Sequence, residues 1–592
     1  MAAPAAQRRR RHRRLQRVRG RPRAPSHPRP LRRAARCRAR RRRERVRHDR
    51  ALLAALCARR RSPPLAAVAA HARLRSGQRA RAAARRAGAT PPRRPRERRL
   101  GRRRTDGRRG TRRRRRHRAA RTRRGRGDAR LLALGAVTTV IDPAALRARL
   151  DRLGEGGETL RRIPLEERIA IIDRVAAQWR EPGSPWRRQA LAALSRTTGH
   201  AAAAIEYALD HLWAAVTTPE LTAVASRELG PEAGAPERLA FHSLAGNVPG
   251  AGAFGVIAAL LAGVPSVVKT ARHEPELPAL VATSIAAADP RFGAALVVAH
   301  WPGGSEAHEA LVVERSSVVL AYGRAATLER LAARAPRRLL RFGPRLSVAL
   351  VAREAADAAT VAAAAQQAAL FDQHGCLSPQ YLVLEETDAD ATAAFVDALA
   401  ASFRRLAQTM PRAPLTLDEA AHVWRFVERA RWRAQEGAAI RVVADGDAGF
   451  GVICDRTRAL DGSPLQRHLV LLPVDTLADT STLLAPLVGS VEAVGVAAPA
   501  ARWPDAAAVA ASCGAHRLCP LERMQAPPFA WRQSGHARLA SLLVPESRDR
   551  PTGDAPRAAL LGHGPVWDES AVAAHAGAPS GSRSPAPYPR SA

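Results

Sequence analysis

All of the excess charge of this 592-residue chain sits in its first 130 residues, and that limits what can fold. The segment holds 52 arginines, no lysine and five acids (Glu44, Asp49, Glu97, Asp106, Asp128), about +47 against +46 for the whole chain. Everything after it is therefore close to neutral. Runs such as 112–116 and 91–99 repel themselves and show little apolar periodicity, so they cannot bury enough surface to offset the entropy of ordering. Residues 1–130 are read as an Arg-rich, disordered N-terminal extension. A basic arm for nucleic acid or anionic lipid and a solvated tail without a partner are both open readings. The favoured one is an extension upstream of the true start. After Met1 the next methionine is Met410, so a start at a non-ATG codon near Val137 is easily missed. Nucleic acid is accordingly not the expected partner.

The remainder is long enough for two or three domains. Lys269 is the only lysine in the chain, a bias that fits a GC-rich coding sequence better than a selected surface. The six cysteines (Cys37, Cys57, Cys376, Cys454, Cys513, Cys519) form no CxxC pair and no zinc spacing, which points to free thiols in a reducing cytoplasm and to no metal. No signal peptide is read. The most apolar stretch, 251–268, is interrupted by Gly255, Gly263 and Pro265 and reads as helix, turn and buried strand rather than a membrane span.

From about Arg238 short apolar runs alternate with helical patterns. Strands are expected at 239–244, 266–269, 294–299 and 317–322, then at 346–352, 380–385, 440–443, 468–474, 493–497 and 516–519. Helices of about ten residues between strands argue for parallel α/β sheets. A cofactor-binding block is expected over 131–345, completed by about 500–545, with a second block over 346–499. Residues 546–592, rich in Pro, Ser, Gly and Arg, read as a disordered tail.

Three places could carry chemistry. His242-Ser243-Leu244-Ala245-Gly246-Asn247-Val248-Pro249 leaves a strand and enters a Gly-rich helix start. An Asn there can aim its amide at a developing oxyanion, although Asn-Val-Pro-Gly is also an ordinary turn. Lys269 ends a strand, where a lysine can reach a ribose or phosphate, or can simply be solvated. Cys376 lies in the loop Phe371–Ser378 between an Ala-rich helix and a strand, as a nucleophile if its thiolate is stabilised, or as an inert core thiol. His374 is close in sequence, which does not make it a base.

Together these segments resemble the LuxC-type acyl-CoA reductases, the fatty acid reductase component of bacterial bioluminescence systems, within the aldehyde dehydrogenase superfamily. The resemblance runs from about Ile141 to Pro545. It rests on Cys-Leu-Ser-Pro-Gln at 376–380 with the preceding Asp-Gln, on Leu-Ala-Gly-Asn-Val-Pro at 244–249, and on Gly-Ala-His-Arg-Leu-Cys-Pro-Leu-Glu-Arg-Met at 514–524, continuing to Trp531 and Gly535. It implies an aldehyde-dehydrogenase-like fold of two Rossmann-like α/β domains, one binding the cofactor and one catalytic.

Carried over, Cys376 falls on the nucleophile, Asn247 on the oxyanion-binding Asn, and Lys269 on the lysine that holds the adenosine ribose. Three residues later, where NAD-preferring members often have an acid, stands Arg272, which implies NADPH. Gly323 and Arg324 occupy the strand-to-helix turn beside the cofactor, in a sequence that departs from the superfamily pattern. The stretch Arg341-Phe342-Gly343-Pro344 lacks the Glu that activates water in aldehyde dehydrogenases, so an acyl-cysteine should persist for reduction. The resemblance thus implies NADPH-dependent reduction of an acyl-CoA or acyl-protein thioester to a long-chain aldehyde in the cytoplasm, with an acyl-protein synthetase as partner and assembly into homo-oligomers. A CoA-acylating aldehyde dehydrogenase working oxidatively, or a nucleic-acid-binding protein using the Arg-rich extension, are the alternatives.

Overall fold

In a computed structural model of the chain, residues 139–230, 234–335 and 338–544 and the short strand Val566–Trp567 are described. The Arg-rich extension, the start expected near Val137 and, that strand apart, the tail 546–592 lie outside the described residues.

The apolar runs between Gly and Pro become short strands: β1 (Ala240–Ser243), β2 (Ser266–Lys269), β3 (Leu296–Ala299), β4 (Val318–Tyr322) and β5 (Arg338–Phe342). They form one parallel sheet in the order β3-β2-β1-β4-β5. Strands covered on both faces can be apolar throughout rather than alternating, and β1, β2 and β4 are buried along their whole length. One face packs against helices 165–180, 202–214, 253–261 and 276–288. The other packs against helices 143–162, 306–315 and 325–332. Asp142 starts the first of these helices by accepting from Ala144 N at 2.8 Å, with Pro143 in the first turn where no N–H is needed.

The second sheet holds β6 (Leu346–Val351), β7 (Pro379–Glu385), β8 (Ile440–Asp445), β9 (Phe450–Asp455), β10 (His468–Val474), β11 (Val491–Ala497), β12 (Arg517–Pro520) and β13 (Val566–Trp567), in the order β13-β12-β11-β6-β7-β10-β9-β8. All neighbours are parallel except β8 and β9, an antiparallel pair at the edge, which departs from the wholly parallel expectation. β5 was also not foreseen. Its two arginines break the apolar pattern, and it is an edge strand with Arg341 exposed, a place where charge is tolerated.

The chain then returns to the first sheet. After β12, Phe529, Leu539, Leu542 and Leu543 enter the core on the face of helix 253–261. Arg338 Nη1 donates to Leu543 O at 2.6 Å, and Val544 N to Ala235 O at 2.8 Å. This returning segment brings the 514–535 motif to the boundary between the sheets. Among the described residues no helix is long and apolar enough to cross a membrane.

Candidate active site

In the first sheet β1 runs on to β2 and β3 on one side, whereas β4 and β5 lie on the other. The order therefore reverses at the β1–β4 boundary, the place where open α/β sheets take ligands beyond the C-terminal ends of their strands. Ser243, Lys269 and Ala321 are level across β1, β2 and β4, so Asn247, Lys269 and Gly323 all leave the sheet at this edge.

The cysteine loop reaches the same edge from the second sheet by an unusual backbone path. Phe371, Asp372 and Gln373 have φ of 53°, 51° and 63°, three consecutive left-handed residues without a glycine. Each costs on the order of 1 kcal/mol or more, so the run persists only where its surroundings over-determine it. Asp372 Oδ1 accepts from Arg467 Nε at 2.7 Å and Oδ2 from Ala413 N at 3.1 Å. Gln373 Nε2 donates to Pro379 O at 2.9 Å, and its Oε1 accepts from His468 N at 2.7 Å.

This turn delivers Cys376, which is partly exposed, whereas Cys454, Cys513 and Cys519 are buried. The Ser347 hydroxyl of β6 donates to Cys376 O at 2.7 Å and accepts from Ala493 N of β11 at 3.1 Å. The cysteine packs on Leu377, Ala493 and Trp531. Burial pushes its thiol above the usual cysteine range and the Glu492 carboxylate adds to that, while its own backbone N–H, Arg345 and Arg517 pull the other way. Tyr322, at the end of β4, is pushed up to about 12, first by burial and also by Cys376, with Arg538 opposing.

The three sequence motifs meet at Gly375. A Cβ there would stand 3.3 Å from Val248 of the Asn247 turn, from Gln525 just beyond the 514–524 segment, and from Ser378. Gln525 Nε2 donates to Ser378 Oγ at 2.5 Å. Asn247 Nδ2 donates to His374 O at 2.5 Å, two residues before the thiol. His374 itself is turned to other work: its Nε2 meets Gln466 Nε2 at 2.7 Å, and Gln466 in turn donates to Glu419. The ring is thus held by the loop before β10.

At the same edge of the first sheet Lys269 is buried at the end of β2. Its ammonium donates to Thr270 O at 3.3 Å and lies 5.9 Å from the Trp301 ring centroid. Burial lowers its pKa, with Glu309 opposing. Arg272 is exposed in the loop that follows. Gly323 has φ of 146°, which favours glycine, and Arg324 precedes helix Ala325–Ala332. The stretch 341–344, expected to lack a carboxylate, lies at the end of β5, where Phe342 stacks on Tyr322 at 4.3 Å.

Sequence reasoning missed Ser347, Tyr322 as a neighbour of the thiol, and Glu492. Only Glu492 left a signal, as a lone acid in the otherwise apolar run 491–497. Among the described residues no group of three or more His, Cys, Asp or Glu side chains is arranged to hold a metal.

A family model described as acyl-CoA reductase (LuxC) matches residues 160–544. Over 211 residues the chain is 25% identical to the long-chain acyl-protein thioester reductase of Photobacterium phosphoreum, covering 34% of this chain and 42% of that protein. Over 252 residues it is 26% identical to the long-chain acyl-protein thioester reductase of Aliivibrio fischeri, covering 41% and 50%. The chain thus spans half or less of the length of the curated relatives it matches. Among solved structures it resembles the aldehyde dehydrogenase PutA from Anabaena variabilis (TM-score 0.53, 19% identity, 69% of this chain and 92% of that one). It also resembles an NAD-dependent benzaldehyde dehydrogenase from Corynebacterium glutamicum (TM-score 0.52, 16% identity, 65% and 86%). At these identities the likeness is one of fold, and the fold is the aldehyde-dehydrogenase-like α/β architecture expected from the motifs.

Proposed function

The chain belongs to the acyl-CoA reductase (LuxC) family, and from that premise we propose that it reduces an acyl thioester to an aldehyde through an acyl-cysteine at Cys376. The observation that carries this reading is the Asn247–His374 hydrogen bond, which ties an amide donor to the loop that presents the thiol.

Cys376 gives up its proton and its sulfur attacks the thioester carbonyl carbon. The new oxyanion needs donors, and preorganised donors at such a position are worth several kcal/mol. An Asn amide has two N–H groups; one holds His374 O, leaving the other for the oxyanion beside the Cys376 backbone N–H. The carbon–sulfur bond to the carrier breaks, the carrier thiol leaves with a proton, and the acyl group remains on Cys376. The nicotinamide cofactor supplies, when bound, the hydride that turns this acyl-cysteine into a thiohemiacetal. Its carbon–sulfur bond then breaks, releasing the aldehyde and restoring the Cys376 sulfur.

The residues present fit that cofactor. Lys269 is a buried cation at the C-terminal end of β2 with one weak hydrogen bond of its own, which leaves donors for ribose hydroxyls. Arg272 stands free to meet a 2′-phosphate, so the cofactor proposed is NADPH. Gly323 and Arg324 follow β4, the neighbour of β1, and would sit against the cofactor. The relatives' names support a long-chain acyl group on a protein-bound thioester donor, and the family description supports a CoA thioester. A synthetase partner, self-assembly and a cytoplasmic setting belong to the same proposal.

Intact-protein mass spectrometry of the full chain tests it. Long-chain acyl-CoA should add one acyl mass, NADPH should discharge it as aldehyde, and Cys376→Ala should form no adduct. Absence of any adduct with acyl-CoA and with acylated protein thiols would refute the reading.

A further inference from the structure

β11 leaves regular pairing at one residue. Val491 lies opposite Leu346 and Ala493 opposite Ser347, so Glu492 has no partner on β6. A bulge re-aims its extra side chain, and bulges are over-represented beside active sites. Here two consecutive residues serve the cysteine loop. Ala493 N donates to the Ser347 hydroxyl that holds Cys376 O. Glu492, beside it, buries its carboxylate completely, at 0% exposure.

That carboxylate is held without being fully satisfied. Oε1 accepts from Ser534 N at 2.9 Å, in the segment that follows Trp531. Oε2 faces Arg345 Nε at 3.3 Å and His516 Nδ1 at 3.6 Å, yet neither Oε2 nor His516 Nδ1 makes a hydrogen bond. A buried carboxylate oxygen in that state is costly. An apolar residue at this place in the strand would avoid the cost, so the charge calls for a use beyond packing. The water-activating position of the superfamily carries no acid here, whereas β11 carries one next to Ala493, which packs on Cys376.

We propose that Glu492 is a positioning residue for the nucleophile: its carboxylate, set by the β11 bulge beside Ala493 and held between Arg345 and His516, sets the electrostatic surroundings of the Cys376 loop. The inference rests on the reading of Cys376 as nucleophile. Burial is the largest influence on the thiol, and the groups that face it pull in opposite directions. Glu492 disfavours the thiolate, Arg345 from the β5–β6 connection and Arg517 from β12 favour it, and Tyr322 from β4 is itself held neutral. Arg538 from the returning segment interacts with both Tyr322 and Glu492. A thiol is inert to oxidants, whereas a thiolate of high proton affinity is scarce but intrinsically more nucleophilic. Such a cysteine is protected between turnovers and strong when it attacks. The ion pair to Arg345 and the Ser534 N–H also keep Glu492 from serving as a free base for water, in accord with an acyl-cysteine that awaits reduction.

The test is the pH profile of iodoacetamide alkylation at Cys376 in the full chain, followed by peptide mass. Glu492→Gln should move the profile to lower pH, and alkylation near neutrality should quicken about tenfold for every pH unit the profile moves. Arg345→Gln should move it to higher pH, and Glu492→Asp, which keeps the charge, should stay near the parent. An unmoved profile in E492Q with the parent's thermal melt overturns the proposal. So does an unmoved profile in R345Q, which decides the matter if E492Q does not fold. Because alkylation needs no acyl donor, altered profiles without acyl transfer would uphold the control by Glu492 while refuting the reductase reading.

Discussion

Asp372 and Arg467 form an ion pair at 2.7 Å with each side chain only 3% exposed, and both residues sit in left-handed backbone. The pair joins two such runs, 371–373 and 465–467, and Gln466 N adds a bond to Asp372 O at 2.9 Å. Arg467 Nη1 also donates to Met410 O at 2.7 Å. Each run is unfavourable alone, and each supplies the partners that hold the other.

The first prediction follows from this pairing. Asp372→Ala leaves the Arg467 guanidinium buried without its carboxylate, and breaking such a pair costs about 3–5 kcal/mol. Urea unfolding should show that loss, and the Cys376 loop should become accessible to alkylation and proteolysis. A loss below about 1 kcal/mol would put the pair within the range of a surface salt bridge and deny it the anchoring role.

The contrast between Asp372 and Arg467 also shows what was legible in the sequence. The Asp-Gln-His-Gly-Cys run could be placed in a loop because an Ala-rich helix precedes it and an apolar strand follows. Asn247 and Lys269 could be placed at strand ends because Gly and Pro punctuate the short apolar runs around them. These are local signals. Arg467 lies 95 residues from Asp372 and its neighbourhood shows no periodicity that points there. Ser347 reads as one more small residue in a strand, and its role depends on Cys376 and Ala493 converging on its hydroxyl. Glu492 was visible as an acid in an apolar run, but its purpose depends on a bulge that only strand pairing defines.

Asn247 and Ser347 should separate chemistry from stability. Asn247 is exposed, so Asn247→Ala should leave the melting temperature near the parent while slowing acyl transfer to Cys376 about 100- to 1000-fold, the range for removing one oxyanion donor. Ser347→Ala strips the partner from Cys376 O and Ala493 N and should cost about 1–3 kcal/mol in urea unfolding. Rapid-quench acyl transfer on both variants checks this. An N247A protein that transfers at the parent's rate would remove Asn247 from the oxyanion site.

Arg272 and Lys269 should divide cofactor choice from cofactor binding. Arg272→Glu places an acid where the ribose would lie and should turn a preference for NADPH toward NADH. Lys269→Met should weaken both, since both keep the adenosine ribose 3′-hydroxyl that a lysine would hold. Fluorescence titration of the full chain with each nucleotide measures it. Equal weakening of NADPH and NADH by R272E would sink the assignment of Arg272.

Stability against acid should begin to fail at the histidines rather than at the carboxylates. Burial pulls His468 down to about 4, and its Nδ1 is held by Gln466 O at 2.8 Å. Burial pulls His536 down to about 4 as well. Both are neutral in the folded protein at pH values where an unfolded histidine, with a pKa of about 6.5, already carries a proton. Between about 6.5 and 4 the unfolded state therefore binds more protons than the folded one, so stability falls as pH falls through that window. For the buried His468 the loss is on the order of 3 kcal/mol by the lower end. Glu385 acts in a lower window. Burial alone would raise it, but Arg502 and Arg353 hold it down to about 2, so its contribution is complete above about 4.5 and is lost only as pH drops toward 2. Urea midpoints of the parent should decline from pH 6.5 downward, and His468→Gln, which cannot titrate, should flatten that decline. A parent curve that stays level until the carboxylates titrate would show that these rings gain protons without unfolding.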